Sequence, residues 1–134
     1  MKTIKIRTET REMFMDVTGR VAEIVAASGV VSGLAHVFVP HTTAAVTINE
    51  NADPDVVGDM LTHLGKMIPL HGAFRHSEGN SDAHIKASLM GFSVTVPIHE
   101  GRLALGTWQG VYFTEFDGPR HRNLQITIIK DGFD

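Results

Sequence analysis

Phe92-Ser93-Val94-Thr95-Val96-Pro97-Ile98, Val111-Tyr112-Phe113-Thr114-Glu115-Phe116 and Leu124-Gln125-Ile126-Thr127-Ile128-Ile129 decide the fold class of this chain. With the shorter stretch from Arg102 to Leu105 they make the last third a series of strand candidates separated by glycine and proline. Working back from them, Thr43 to Ile48 reads as another strand, paired with Leu34 to Val39. Between these and the final third lie helical signals. Asp53-Pro54 is a helix start, with Asp as N-cap and Pro at the first position, where no donor is lost. Val57, Met60, Leu61 and Leu64 follow as an apolar stripe, and Pro69 ends the segment. Leu70 to Asn80 is a polar loop, and Asn80 or Ser81 caps a short helix through Leu89, closed by Gly91.

At the other end, Ile4 and Ile6 alternate with Lys5 and Arg7 as a half-buried strand, and Met13, Met15 and Val17 repeat the two-residue period. Thr18 then caps a helix through its hydroxyl, Val21, Ile24, Val25 and Ser28 lie at helical spacing, and Gly29 supplies the left-handed stop. Strands dominate, two or three helices are inserted, and there is neither a βαβ rhythm nor a glycine-rich phosphate loop. The expectation is one α+β domain spanning residues 1–134.

Composition narrows the function classes. Fifteen acidic against twelve basic residues give a formal charge of -3, which offers no general attraction for nucleic acid or an anionic membrane. The absence of cysteine excludes disulfides, thiolate catalysis, iron-sulfur clusters and cysteine-ligated zinc. The N-terminus alternates charge with β-branched residues, unlike a signal peptide, and no apolar run reaches the ~20 residues that span a bilayer. A cytoplasmic protein is expected. Eight histidines are the unusual feature: they either decorate solvated loops or supply a subset that binds metal or handles protons.

Four groups of residues could carry chemistry. His41-Thr42-Thr43 and Asn49-Glu50-Asn51 flank one short strand, where open loops often build sites. Parity places His41, Thr43, Thr47 and Asn49 on one face and Thr42, Ile48 and Glu50 on the other, so His41 meets Glu50 only if a bulge or turn re-aims one of them. The alternative is an Asn-Glu pair that caps a loop. The second group, Arg75 to Lys86, holds His76, Glu78 and His84, residues able to complete a nitrogen–oxygen metal site, and a helix start able to seat an anion. A solvated loop is the alternative. In Gly106-Thr107-Trp108-Gln109-Gly110, Trp108 either stacks on a planar ligand, with Gln109 bonding its edge, or packs in a core or subunit interface. Arg120 and Arg122, with Arg102 and Lys86, offer forks and charge for phosphate or carboxylate, against the commoner solvated surface.

Taken together, His41-Thr-Thr-Ala, Asn49-Glu50-Asn51 with Asp53-Pro54, His76-x-Glu78-Gly79, His84-Ile85-Lys86-x-Ser88, and Gly101-Arg102 running into Gly106-Thr-Trp-Gln-Gly110 resemble the YjbQ-like family, along essentially the whole chain and in order. The resemblance implies a two-sheet β-sandwich with inserted helices, assembled as a homotrimer around sheets packed at the threefold axis. It also implies a weak, secondary thiamine-phosphate synthase activity, a transferase joining a pyrimidine-methyl diphosphate to a thiazole phosphate. Carried over by position, it points to His41, Asn49, Glu50, His76, His84 and Gln109. Of these, His41, His76 and His84 are the expected ligands of a divalent metal, zinc or magnesium. Glu50, Asn49 and Gln109 are the expected catalytic groups, with Lys86, Arg102, Trp108, Arg120 and Arg122 contacting a small phosphorylated substrate. Two alternatives stand beside it: a non-catalytic trimeric module binding a metal or small anion, and a metal-assisted hydrolase with Glu50 as general base.

Overall fold

The computed structural model describes residues 1–133. Its elements follow in the order β1 (Lys2–Arg7), β2 (Met13–Asp16), α1 (Thr18–Ser28), β3 (Gly33–Phe38), β4 (Ala44–Glu50), α2 (Pro54–Met67), α3 (Ser81–Met90), β5 (Ser93–His99), β6 (Arg102–Leu103), β7 (Gln109–Glu115) and β8 (His121–Lys130). The strands form two antiparallel sheets, a larger one in the order β1-β8-β3-β5-β6 and a smaller one in the order β2-β7-β4. With three helices this is a mixed α+β fold.

Two-residue periodicity assembles the core. Ile4 and Ile6 on β1, Val37 on β3, and Leu124 and Ile126 on β8 all point inward from the larger sheet. They meet Val46, Val111 and Phe113 of the smaller sheet, together with Val21 of α1, in one buried cluster. The two sheets therefore pack face to face. The other side of the smaller sheet contributes Ala45, and Phe116 just beyond β7, to a second cluster with Ala83 and Ala87 of α3. The small alanines let α3 lie close against β4. The outer face of the larger sheet is different: Leu34, Phe38 and Ile129 stand exposed on it.

Local signals set some helix ends and not others; Asn80 precedes α3 without a side-chain capping bond, its amide donating instead to Asp117. Gly29 adopts the left-handed conformation that stops α1, and Asp53 caps α2 by accepting from the Asp55 N–H at 2.9 Å. Thr18, however, does not cap α1. The N-cap is Val17; the Asp16 carboxylate accepts from the Thr18 N–H, and the Thr18 hydroxyl accepts from the Val111 N–H of β7. That hydroxyl ties the helix start to the neighbouring strand. Sheet pairing also lengthens strands beyond their apolar runs: β4 continues through Asn49 and Glu50 opposite Gly110 and Gln109, and β8 begins at His121 opposite Arg7.

Candidate functional site

Strand β4 holds the expected site residues apart. His41 lies just before its start and Glu50 at its end, so roughly 20 Å of extended chain separates the two groups. No bulge or turn brings His41 to Glu50. Among the described residues, the concavities lined by His41, His76 and His84 include neither Asn49 nor Glu50.

The His41 end is a concavity of about 370 Å3. Pro40 to Thr43 enter it ahead of β4, Glu78 and Asn80 ahead of α3, and His84 from the first turns of α3. Asp117 and Arg120 come from the β7–β8 connection, and Arg122 from β8. Arg122 occupies the core-facing parity of β8, in step with Leu124 and Ile126, and is only 6% exposed. A cation there requires a partner, because an unpaired buried charge is costly. Glu115, fully buried at the core-facing parity of β7, provides it: Arg122 donates through Nε and Nη2 to its two carboxylate oxygens. Arg122 Nη2 also donates to Thr43 Oγ1 at 2.9 Å. Glu115 further accepts from the Thr8 hydroxyl and from the Phe116 and Asp117 N–H groups. The pair is thus hydrogen-bonded on both sides. Arg120 donates to the Asp117 carbonyl at 2.8 Å and carboxylate at 3.0 Å. Asn80 donates to the same carboxylate at 2.9 Å.

His41 sits beside this pair. The Asn123 N–H donates to its Nε2 at 2.9 Å, a bond that requires the tautomer with its proton on Nδ1. Burial, chiefly, and the neighbouring Arg122 push its pKa below the usual imidazole range, against the opposing pull of Glu115. A backbone hydrogen bond at Asn123 pulls the other way with Glu115, and burial with Arg122 outweighs both.

The expected metal centre is therefore corrected. A metal needs an unprotonated ring nitrogen with a free lone pair. His41 has one nitrogen occupied by a backbone donor and the other protonated. His76 and His84 meet edge to face at 5.5 Å between ring centres, and Glu78 lies 3.8 Å from His76 Nε2. Among the described residues, no group of three or more histidines and carboxylates could hold a metal ion.

Of the expected phosphate contacts, Arg120 and Arg122 line the concavity and three others lie elsewhere. Lys86 is buried in α3, donating to Glu12 at 2.9 Å and Asp82 at 3.2 Å. Arg11 closes this second ion network with two bonds to Asp82. Burial raises the Asp82 pKa, but the bonds from Arg11 and Lys86 outweigh it and hold the carboxyl below its ordinary range. Arg102 is on β6, at the edge of the larger sheet opposite β1. Trp108 precedes β7 at the Glu50 end and is 62% exposed.

That far end is knitted by turn bonds. Asn49 Oδ1 accepts from the Glu50 N–H, and the Tyr112 hydroxyl donates to the Glu50 carbonyl. The Asn51 N–H donates to the Trp108 carbonyl, and Gln109 Oε1 accepts from the Gly106 N–H. Asn51 folds over Gly110 so closely that a Cβ there would lie 2.5 Å from its amide nitrogen. Here the loop-capping reading of Asn49 describes the geometry.

The chain matches the model of the family described as UPF0047 protein YjbQ-like over residues 2–131. It belongs to the YjbQ-like family. Among relatives, UPF0047 protein MJ1081 of Methanocaldococcus jannaschii is 50% identical over 127 residues, covering 95% of this chain and 92% of that one. UPF0047 protein YugU of Bacillus subtilis is 48% identical over 130 residues, covering 96% and 98%. The crystal structure of a YjbQ/UPF0047 family protein from Clostridium acetobutylicum superposes with a TM-score of 0.95 at 54% identity, covering 96% of this chain and all of that one. A YbjQ-like protein of unknown function from Sulfolobus solfataricus gives 0.93 at 32% identity, covering 97% and 96%.

These relatives overturn the activity expected from the resemblance. Their names carry no thiamine-phosphate synthase or other transferase activity, and the Sulfolobus protein is described as being of unknown function. The YjbQ-like family is not tied to that reaction. The geometry gives it no support either, because Glu50, Asn49 and Gln109 lie at the opposite end of β4 from the arginines.

Proposed function

We propose that the concavity ahead of β4 binds a small phosphorylated molecule and that the protein acts as a homotrimer. The observation that carries the first part is the convergence there of Thr42, Thr43, His41, Arg120 and Arg122, all bearing donors. Phosphate oxygens are acceptors only, and such an array suits them. Arg122 binds the Glu115 carboxylate through Nε and Nη2, and Arg120 binds the Asp117 carbonyl through Nε and its carboxylate through Nη2, which fixes both guanidiniums and leaves each Nη1 outside those bonds. Because Glu115 and Asp117 balance the two arginines, recognition rests on placed donors rather than on a strong positive field. Asp117 and Glu78 are acceptors suited to hydroxyl groups elsewhere on the ligand. Support for the trimer is the exposed apolar surface of Leu34, Phe38 and Ile129 on the larger sheet, which a second copy would cover.

Calorimetric titration of the protein and its Arg120→Ala variant with glycerol phosphate tests the binding. Saturable binding by the native protein, weakened about tenfold or more in the variant, is expected for loss of one charge-assisted contact. Absent or unchanged binding contradicts it.

A further inference from the structure

His84 lines a second concavity besides the first, with a volume of about 540 Å3. Its walls are mostly apolar. Phe74 and Ala73 come from the loop ahead of α3 and Ile85 from α3 itself, with the His76 ring set edge-on against His84. Phe74 and Ile85 are both exposed. The two hollows therefore adjoin at His84: one is rich in fixed hydrogen-bond donors, the other offers exposed rings and a branched aliphatic side chain. Arg75 and Ser81 are the remaining polar members of the second.

We infer that the ligand of this site is a phosphate monoester whose alcohol part is apolar and preferably aromatic, its phosphate among Arg120, Arg122 and Thr42 and its ring beyond His84 against Phe74, His76 and Ile85. The inference rests on the phosphate-binding reading and adds the class of ester. A polar alcohol would leave the apolar hollow wet and gain nothing from it. An apolar group removes surface from water on both partners, and an aromatic one also meets the faces and edges of Phe74 and the imidazoles. His84 contributes to both hollows, so it would touch the ligand near the ester oxygen. No covalent step is implied.

Phenyl phosphate and glycerol phosphate differ in the character of the alcohol and share the phosphate, which makes them the probes. Affinities would be measured calorimetrically for the native protein, a Phe74→Ala/Ile85→Ala variant and Arg120→Ala. Phenyl phosphate is expected to bind about tenfold or more tightly than glycerol phosphate, the gain from burying one ring. The double variant should lose most of that advantage and keep its glycerol phosphate affinity. Arg120→Ala should weaken both esters. Equal affinities in the native protein, or a double variant that weakens both esters alike, would overturn the inference while leaving the phosphate site standing. Phenyl phosphate binding indifferent to Arg120→Ala would show the ring acting without the phosphate, and would also overturn it. If neither ester binds the folded protein, the phosphate reading fails and this inference with it.

Discussion

The two ends of β4 carry similar side chains and use them differently. Ahead of the strand, His41, Thr42 and Thr43 stand over a buried Arg122–Glu115 pair and face an open hollow. Beyond it, Asn49, Gln109 and Tyr112 each bond neighbouring backbone through a side-chain oxygen, and the Asn51 amide donates to the Asp16 carboxylate. Polar residues at a strand end mark a site only when the fold leaves donors unspent and space in front of them. The first end meets that condition through a charge placed at a core parity, and the second is closed by its own turns.

The largest expected effect comes from the ion pair beneath the first end. Glu115→Ala leaves Arg122 buried without its partner, and a loss of roughly 3–5 kcal/mol of stability is expected, read as the urea midpoint. Loss below about 1 kcal/mol would mean that the pair is not a buried support. At the second end, Gly110→Ala forces a methyl onto Asn51 and should cost about 1–3 kcal/mol while leaving phosphate affinity unchanged. A change in affinity there would dissolve the contrast between the ends.

A smaller effect concerns His41, whose folded pKa lies below its unfolded value. Below about pH 6.5 the unfolded chain takes up a proton that the folded ring refuses, so the stability it contributes above that pH is lost as pH falls. His41→Gln, which keeps an acceptor for the Asn123 N–H, should flatten this part of the stability–pH profile. An unchanged profile would contradict the neutral, amide-held ring. The smallest effect is expected for Glu50→Ala: its half-buried side chain lies outside the hollow, and both stability and phosphate affinity should stay within about 0.5 kcal/mol of the native protein.

Much of the fold was legible because its signals are local. The alternation of Ile4 and Ile6, the Asp53-Pro54 start and the Gly29 stop act over a few residues, and the elements form there. Parity along β4 sets His41 and Glu50 on opposite faces, whereas in the structure the length of the strand is what keeps them apart. What escaped depends on contacts distant in sequence. Lys86 reads as a phosphate contact, yet it is buried and donates to Glu12, 74 residues away. The His41 ring is fixed by an amide 82 residues away, which no local pattern reveals. Glu115 carries a signal of its own: it continues the parity of Val111 and Phe113, as Arg122 does that of Leu124 and Ile126. Opposite charges at core-facing positions of two strands are a reason to look for a buried pair.

The most direct test of the account is an NMR titration of the isotope-labelled protein with glycerol phosphate, following backbone amides and histidine rings. The account predicts saturable shifts at Thr42, Thr43, His41, His84 and Arg120, with Glu50, Trp108 and Gly110 unmoved. Shifts centred on Glu50, Trp108 and Gly110, or none at the His41 end, would contradict it.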